Sequence, residues 1–389
     1  MKILLRLLLA MFGVLIALVA LELALRGGMI DEDNLHAEYE LYFETEDRIR
    51  FENAEDGGQY GLIVPDPNNP RQPAFRFAPN ATFYLCYSGL DGERAAYFDE
   101  RGCVECATNS LGMREREELA GPKPDGQTRV LCIGDSFTFG WGVKVEDAWP
   151  RRVERELRRQ DDSVRTVNAG AAGAIFVDEY YAALDERFHV VEPDVVVFTI
   201  CLNDILPTSL ALAHHRSKND LPWIFRVSKL ARRVNNVYPL QDVLTLDPEH
   251  DYIQDLFDSP DEVYQWPLWP AQKGREGFWV GGGPQEALIA ARDWCQERGK
   301  VFGVAIWPYF QGLGPDEWYP FTRIHTLVGE FCLENDIPFC DVLPELVDKV
   351  STHELWVSPA DYHGNARAQE MATPKLTAWI DSLIRMIPR

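Results

Sequence analysis

A serine follows a short apolar run in the middle of the chain. Residues 130–133 read Val-Leu-Cys-Ile, and Gly134-Asp135-Ser136 comes directly after them. The apolar run predicts a buried strand, and the glycine marks its end. In an open parallel α/β sheet, ligands bind outside the carboxyl ends of the strands. Ser136 is therefore a candidate nucleophile, provided that a base and oxyanion donors lie elsewhere in the chain.

Three further segments with glycine or polar residues fall near the ends of predicted elements. They are Asn168-Ala-Gly-Ala-Ala-Gly173, Cys201-Leu-Asn203-Asp204 and Asp361-Tyr-His363-Gly-Asn365. The first two follow predicted strands, and the third precedes the last predicted helix. Together they offer an imidazole that could accept a proton and N–H groups that could stabilise an oxyanion. Combined with the serine, these groups indicate acyl transfer.

Strands and helices alternate from residue 129 onward. Strands are predicted over residues 129–134, 164–168, 194–201, 300–307 and 338–342. Helices are predicted over residues 147–160, 176–188, 285–298, 320–335 and 364–386. Such alternation is typical of a parallel sheet with helices on both faces. Residues 206–284 interrupt the pattern, and we predict that they form an insertion of loops and short helices beside the site.

In this order, the four segments resemble the GDSL/SGNH hydrolase family, whose four sequence blocks carry Ser, Gly, Asn and His. The resemblance covers residues 128–389, together with Asn109-Ser-Leu-Gly-Met-Arg114, which looks like a segment of the membrane-anchored members. It implies a three-layer α/β/α flavodoxin-like sandwich with a central parallel sheet, the SGNH hydrolase fold. One block alone is a weak signal, whereas four blocks in order at element ends form a specific one.

The resemblance implies a role for each residue of the site. Ser136 would attack an ester carbonyl, and His363 would take its proton and deliver it to the leaving alcohol. Asp361 would orient the imidazole and stabilise its charged form. The oxyanion would be held by the backbone N–H groups of Ser136 and Gly173 and by the side-chain amide of Asn203. This chemistry implies neither a metal nor an organic cofactor.

Two positions depart from the family pattern. Cys201 stands where the third block has glycine, which could displace the backbone of Asn203. The fourth block has its aspartate three residues before the histidine, whereas Asp361 lies only two residues before His363. A backbone carbonyl could therefore orient the imidazole instead. These departures leave open a non-catalytic envelope module that keeps the fold for binding or assembly.

Structural roles are the alternatives for the same residues. Ser136 could be a helix N-cap, Asn203 could cap a turn, and His363 could be a surface histidine. We interpret Asp135 and Asp204 as buried or loop-ordering carboxylates.

The amino-terminal segment has the pattern of a membrane anchor or a signal peptide. Lys2 and Arg6 precede an uncharged run from Leu7 to Leu21, and no small-x-small cleavage site follows. We predict that residues 1–28 form a transmembrane signal-anchor that leaves the catalytic domain extracytoplasmic, either periplasmic or extracellular. Secretion after cleavage of a signal peptide is the alternative.

Residues 29–127 are predicted to form an extracytoplasmic lead-in that packs on the main domain, residues 128–389, through short strands and aromatic side chains.

Export affects how the cysteines are interpreted. Disulfides are permitted outside the cytoplasm, and we predict one among Cys86, Cys103 and Cys106. A zinc site is disfavoured because Cys103-x-x-Cys106 has no second matching pair.

The charge balance restricts the partners. The chain carries 38 Lys and Arg against 61 Asp and Glu, a net charge of -23, which disfavours binding to nucleic-acid phosphates. The predicted function is a serine esterase that cleaves an ester, such as an O-acetyl or short acyl group on an envelope carbohydrate or lipid. An O-acyltransferase that uses the same acyl-enzyme is the alternative, because the sequence does not show whether water is excluded.

Overall fold

The structure, a computed structural model, describes part of the chain. The described residues are 13, 17–24, 41–45, 63–65, 75–77, 79–87, 90, 92–119, 122–171, 176–205, 283–359 and 361–388. The chain divides into two units, one of residues 1–38 and 212–251, the other of residues 39–211 and 252–389. The elements that position the site belong to the second unit.

The predicted anchor, residues 1–28, lies mostly outside the described ranges. Within it, residues 17–24 are helical. Among their side chains, Leu18, Val19, Leu21 and Leu23 are exposed. Over the stretches that the structure describes, no helix combines the length and the apolar character needed to span a bilayer.

The second unit contains both strands and helices. Its described strands are β1 (Leu41–Thr45), β2 (Ile63–Pro65), β3 (Phe75–Phe77), β4 (Thr82–Tyr87), β5 (Cys103–Ala107), β6 (Thr128–Gly134), β7 (Val164–Gly170), β8 (Val195–Ile200), β9 (Val301–Ile306), β10 (Phe339–Asp341), β11 (Trp356–Ser358) and β12 (Asp361–Gly364). Its described helices are α1 (Gly92–Tyr97), α2 (Ser136–Phe139), α3 (Trp149–Leu157), α4 (Val177–Glu186), α5 (Gly283–Glu297), α6 (Thr322–Glu334), α7 (Leu343–Leu346) and α8 (Ala366–Ile384).

A five-stranded parallel sheet forms the centre of this unit. Its strands lie in the order β7-β6-β8-β9-β10, and all four neighbouring pairs are parallel. Counted along the chain, this is the order 2-1-3-4-5 of flavodoxin-like folds. The five strands occur within two residues of their predicted ranges, which confirms an α/β fold with a central parallel sheet. The strand order reverses between β6 and β8, so a ligand is expected at their carboxyl ends.

Both faces of the central sheet are covered. Every residue of β8 and of β9 is buried, and successive side chains of a strand point to opposite faces. The helices pack in pairs, α3 with α8 and α4 with α5. In α3, the apolar stripe of Trp149, Val153 and Leu157 is buried, as the spacing of four residues requires of an amphipathic helix.

A smaller antiparallel sheet, β1-β4-β5, precedes the central one in the chain. A disulfide joins Cys86 of β4 to Cys103 of β5, which are paired residues of the two strands. Aromatic and aliphatic side chains of this sheet share a hydrophobic cluster with Phe139, Trp141 and Val357. We call β4, α1 and β5 the accessory layer, and its core is continuous with the region that carries the candidate nucleophile.

The predicted insertion, residues 206–284, lies outside the described residues except at its end. Gly283 is the first residue of α5, so the regular helix begins two residues earlier than predicted. Helices α6 and α8 end immediately before Asn335 and Arg385, respectively, close to their predicted ends at residues 335 and 386.

Candidate active site

Ser136 lies at the sharp turn between β6 and α2. It is the first residue of α2, and the preceding Asp135 caps this helix by accepting a hydrogen bond from the Phe137 N–H at 2.9 Å. The capping role therefore belongs to Asp135, which leaves the Ser136 hydroxyl available. The turn also needs Gly134, because an added Cβ would lie 2.6 Å from the Thr199 carbonyl oxygen.

The imidazole of His363 connects Ser136 to Asp361. Its Nε2 lies 2.8 Å from the Ser136 Oγ, and its Nδ1 lies 2.5 Å from Oδ1 of Asp361. The structure thus brings together the three side chains that the resemblance selects. It also places a carboxylate, rather than a backbone carbonyl, on the imidazole Nδ1.

The unusual spacing of this aspartate and histidine is explained by strand β12. Asp361 and His363 are both residues of β12, which pairs with β11 in an antiparallel hairpin. Side chains two residues apart in a strand point to the same side. An extended backbone therefore lets Asp361 reach the imidazole across a single intervening residue. The Asp361 N-terminal neighbour, Ala360, lies outside the described residues.

Electrostatics favour an ionised Asp361 and a basic His363. Burial disfavours the charged imidazole of His363. The negative charge of Asp361, its hydrogen bond to the imidazole and the charge of the nearby Asp135 outweigh this effect, so the pKa of His363 is raised. Burial disfavours the charged carboxylate, but His363 and a hydrogen bond from Tyr87 outweigh this, so the pKa of Asp361 is lowered. This is the arrangement that a general base and its orienting carboxylate require.

Tyr87 is a member of the site that sequence reasoning missed. Its hydroxyl donates to Oδ2 of Asp361 at 2.7 Å, and the bond is buried. Burial, followed by the charge of Asp361, raises the pKa of Tyr87 well above its ordinary value, so the phenol keeps its proton. Nothing in the sequence links a tyrosine at the end of β4 to a segment 274 residues later. Its position directly after Cys86 is the one local signal.

The three predicted oxyanion donors differ in what the structure describes. Gly173 lies outside the described residues. The backbone of Asn203 belongs to a 3-10 turn, Leu202–Ile205, that follows β8. The Ser136 N–H belongs to the first turn of α2, where amide groups have no acceptor within their helix.

The turn after β8 is ordered by Asp204. Its Oδ2 accepts hydrogen bonds from the Tyr180 hydroxyl and from the Cys201 N–H, both at 2.7 Å. This agrees with the interpretation of Asp204 as a loop-ordering carboxylate. Cys201 is fully buried and does not adopt a positive φ. The position therefore does not require the conformational freedom of glycine, and the cysteine is accommodated.

A second carboxylate lies behind the nucleophile. Asp135 is buried, and burial raises its pKa to about 6. Burial and the charge of Asp135 also raise the pKa of Asp204 well above its ordinary value. Two buried carboxyl groups that interact do not both ionise readily, so this pair takes up a proton more readily than isolated carboxylates.

The segment from Asn109 to Arg114 supports the far end of α2. The buried guanidinium of Arg114 donates to the carbonyl oxygens of Phe139, Gly140 and Val143, at 2.7, 2.5 and 2.6 Å. From β7, the Asn168 side-chain amide donates to the Phe139 carbonyl at 3.3 Å. These contacts give Asn168 a structural role and hold the helix that begins with Ser136.

The cysteines of the accessory layer are not arranged as a metal site. Cys86 and Cys103 are joined in the disulfide, while Cys106 is a buried free thiol. In the described part of the chain, no group of three His, Cys, Asp or Glu side chains could hold a metal ion.

Fold and site together define a class: an α/β protein of flavodoxin-like strand order with a serine, a histidine and an aspartate hydrogen-bonded at the carboxyl edge of its sheet. The sequence model of the GDSL-like lipase/acylhydrolase family matches residues 132–371. The chain belongs to this family and is a hydrolase that acts on ester bonds.

Several solved esterase structures are similar to this chain. A catalytic mutant of the acetylxylan esterase Axe2 from Geobacillus stearothermophilus is 14% identical, with 65% of this chain and 94% of that chain covered and a TM-score of 0.39. The psychrotrophic esterase EstA from Pseudoalteromonas sp. is 13% identical, with 67% and 100% covered and a TM-score of 0.37. A two-domain esterase active on acetylated mannans is 12% identical, with 66% and 49% covered and a TM-score of 0.37.

No curated protein matches the chain.

Proposed function

We propose that this hydrolase is a serine esterase that works through an acyl-enzyme on Ser136. The observation that carries the proposal is the continuous hydrogen-bonded chain from the Ser136 hydroxyl through His363 to Asp361. A hydroxyl nucleophile, a base within hydrogen-bond reach and a group that orients the base are the parts that acyl transfer needs.

In the first half of the reaction, the Ser136 Oγ attacks the ester carbonyl carbon while its proton passes to Nε2 of His363. The carbonyl oxygen becomes an oxyanion, for which we propose the N–H groups of Ser136 and Gly173 and the amide of Asn203 as donors. When the tetrahedral intermediate collapses, the alcohol leaves with the proton from Nε2. The acyl group then remains on Oγ.

In the second half, water attacks the acyl carbonyl and gives a proton to Nε2 of His363. Collapse of the second intermediate breaks the bond to Oγ, which regains the proton from Nε2, and the carboxylic acid is released. Throughout, the Asp361 carboxylate remains ionised and stabilises the imidazolium that forms twice in each cycle.

For the substrate and its location, we propose an O-acetyl or short acyl ester on an envelope carbohydrate or lipid. The uncharged run between Leu7 and Leu21 supports an exported, membrane-anchored chain, either periplasmic or extracellular, and secretion after cleavage is the alternative. The disulfide between Cys86 and Cys103 supports an oxidising compartment. The apolar side chains exposed by residues 17–24 are those expected of a lipid-facing helix.

The test uses the full-length chain and p-nitrophenyl acetate, with an organophosphonate as a probe of the nucleophile. We expect turnover and a phosphonate mass increment at Ser136, and the Ser136→Ala variant should lose both. Ser382→Ala is the matched control, because Ser382 is an exposed serine of α8. Folded protein that neither hydrolyses the ester nor reacts with the probe would instead support a non-catalytic envelope module.

A further inference from the structure

We propose that Tyr87 of the accessory layer is a positioning residue that holds Asp361 in the orientation that His363 requires. The inference rests on the proposed esterase mechanism and extends it to a part of the chain outside the family match, which begins at residue 132. In this view the accessory layer completes the active site, because it provides the partner for the second carboxylate oxygen of Asp361.

The hydrogen bonds of Asp361 divide between its two oxygens. Oδ1 lies 2.5 Å from the imidazole Nδ1 of His363 and accepts a bond from the His363 backbone N–H at 3.1 Å. Oδ2 accepts the Tyr87 hydroxyl at 2.7 Å. With both oxygens engaged, the carboxylate cannot rotate without losing a bond. The side chain of Asp361 is only 4% exposed, so water would not readily replace a lost partner.

This support matters because of the short spacing between Asp361 and His363. The aspartate is the first residue of β12, a strand of four residues in a two-stranded hairpin. Such a small hairpin is only marginally stable by itself. A bond to a residue on a separate, disulfide-linked sheet ties the start of this strand to the rest of the unit.

Tyr87 is itself held rigidly. It is the last residue of β4, its N–H donates to the Gly102 carbonyl at 3.0 Å, and it follows the disulfide-bonded Cys86. Its ring lies 5.1 Å from that of Phe98. Gly142 leaves room for the Tyr87 hydroxyl, because a Cβ added at this glycine would lie 2.6 Å from the hydroxyl oxygen.

The chemistry of the pair suits positioning rather than proton transfer. The hydroxyl can donate one hydrogen bond, and the ionised carboxylate is a strong acceptor. His363 also faces Asp361, and Cys106 and Arg114 are titratable groups that also influence Tyr87. Removing the donor leaves the Asp361–His363 pair with a higher affinity for a proton, because the negative charge of the carboxylate loses a stabilising partner.

The test is the Tyr87→Phe variant of the full-length chain, assayed with p-nitrophenyl acetate across the pH range. We expect kcat to fall roughly 10- to 100-fold, the size of effect associated with losing a hydrogen bond to a charged group, with little change in KM. The acid limb of kcat/KM should move to higher pH. Titration of the active sites with the phosphonate gives the concentration of competent protein. The value of kcat can then be calculated per active site even if part of the sample unfolds.

Tyr97→Phe is the matched control. Tyr97 lies in the same layer, and its hydroxyl donates to Asp147 at 2.9 Å, away from the imidazole. We expect its kcat and its pH profile to remain those of the unsubstituted protein. A general loosening of the layer would affect both variants alike, whereas positioning of Asp361 affects only Tyr87→Phe.

A double-mutant cycle with Asp361→Asn separates positioning from packing. If Tyr87 acts through Asp361, adding Tyr87→Phe to Asp361→Asn should cost less than twofold further in kcat. Independent, multiplicative losses would overturn the proposal, as would a Tyr87→Phe variant with unchanged kcat and pH profile. Failure of the esterase mechanism itself is recognised separately, because Ser136→Ala would then retain turnover.

Discussion

Two histidines of this protein make almost the same hydrogen bonds, yet only one lies in the candidate active site. His363 has Asp361 on Nδ1 and the Ser136 hydroxyl on Nε2, at 2.5 and 2.8 Å. His325 has Asp341 on Nδ1 and the Tyr319 hydroxyl on Nε2, at 2.8 and 3.0 Å. An aspartate, an imidazole and a hydroxyl in line are thus not sufficient to define a catalytic site.

The two clusters differ in access and in the hydroxyl. The His363 side chain is 31% exposed, whereas that of His325 is 2% exposed. Ser136 lies at the carboxyl end of β6, beside the point where the strand order reverses. Tyr319 is buried, and burial raises its pKa well above the ordinary value. Asp341 also accepts the Leu343 N–H at 2.9 Å, which suits a structural cluster that joins α6 to β10 and α7.

The largest expected effect separates the two histidines by activity. The His363→Ala variant lacks the base, so its kcat should fall roughly 10⁵- to 10⁶-fold, as when the histidine of a serine-histidine pair is removed. Steady-state hydrolysis of p-nitrophenyl acetate measures it. His353→Ala is a control with an exposed histidine of the same hairpin region, and its kcat should stay near that of the unsubstituted protein. Comparable losses in both variants would contradict the assignment.

The pH dependence of activity sharpens the comparison. Protonated His363 cannot accept the Ser136 proton, so kcat/KM should fall tenfold per pH unit below its pKa and level off above it. Because Asp361 and Asp135 raise this pKa, the midpoint should lie above the ordinary value of about 6.5. A pH-rate profile of the intact chain measures it. A flat profile between about pH 5 and 8 would refute the role of His363 as the base. A midpoint below about 6.5 would contradict the raised pKa.

The smallest expected effect on activity comes from the buried cluster. His325→Ala should leave kcat per titrated active site and its pH midpoint unchanged. It should lower the free energy of unfolding by about 1–3 kcal/mol, because Asp341 and Tyr319 lose a buried partner. Urea denaturation of the two proteins gives the difference. A shifted pH midpoint in this variant would show that His325 is coupled to His363, and would contradict the separation of a structural from a catalytic histidine.

Much of the central fold was predictable, because each of its elements has a local signature. The strands β8 and β9 are apolar runs in which every residue is buried, and the helix α3 has amphipathic spacing. The position of Ser136 followed from the same logic, since a serine directly after a buried strand must lie at the edge of the sheet. The order of the site segments along the chain then allowed His363 and Asn203 to be selected.

Other features depended on contacts between distant parts of the chain. The hairpin of β11 and β12 has no strong local pattern, so the way in which Asp361 reaches the imidazole could not be read from its spacing. Which two of the three clustered cysteines pair was likewise open, and the register of β4 and β5 places Cys86 opposite Cys103. Tyr87 and the duplicate cluster at His325 have no sequence motif.

By itself, the sequence determined that this chain folds around a parallel sheet with Ser136 at its edge, because apolar periodicity and short motifs are local properties. It also predicted an acyl-transfer set at that edge. Only the tertiary structure decided which hydroxyl meets which imidazole, and that a tyrosine from the accessory layer supports the aspartate. The physical reason is that hydrogen bonds act over about 3 Å, and that proximity between residues far apart in the chain is created only when the elements pack.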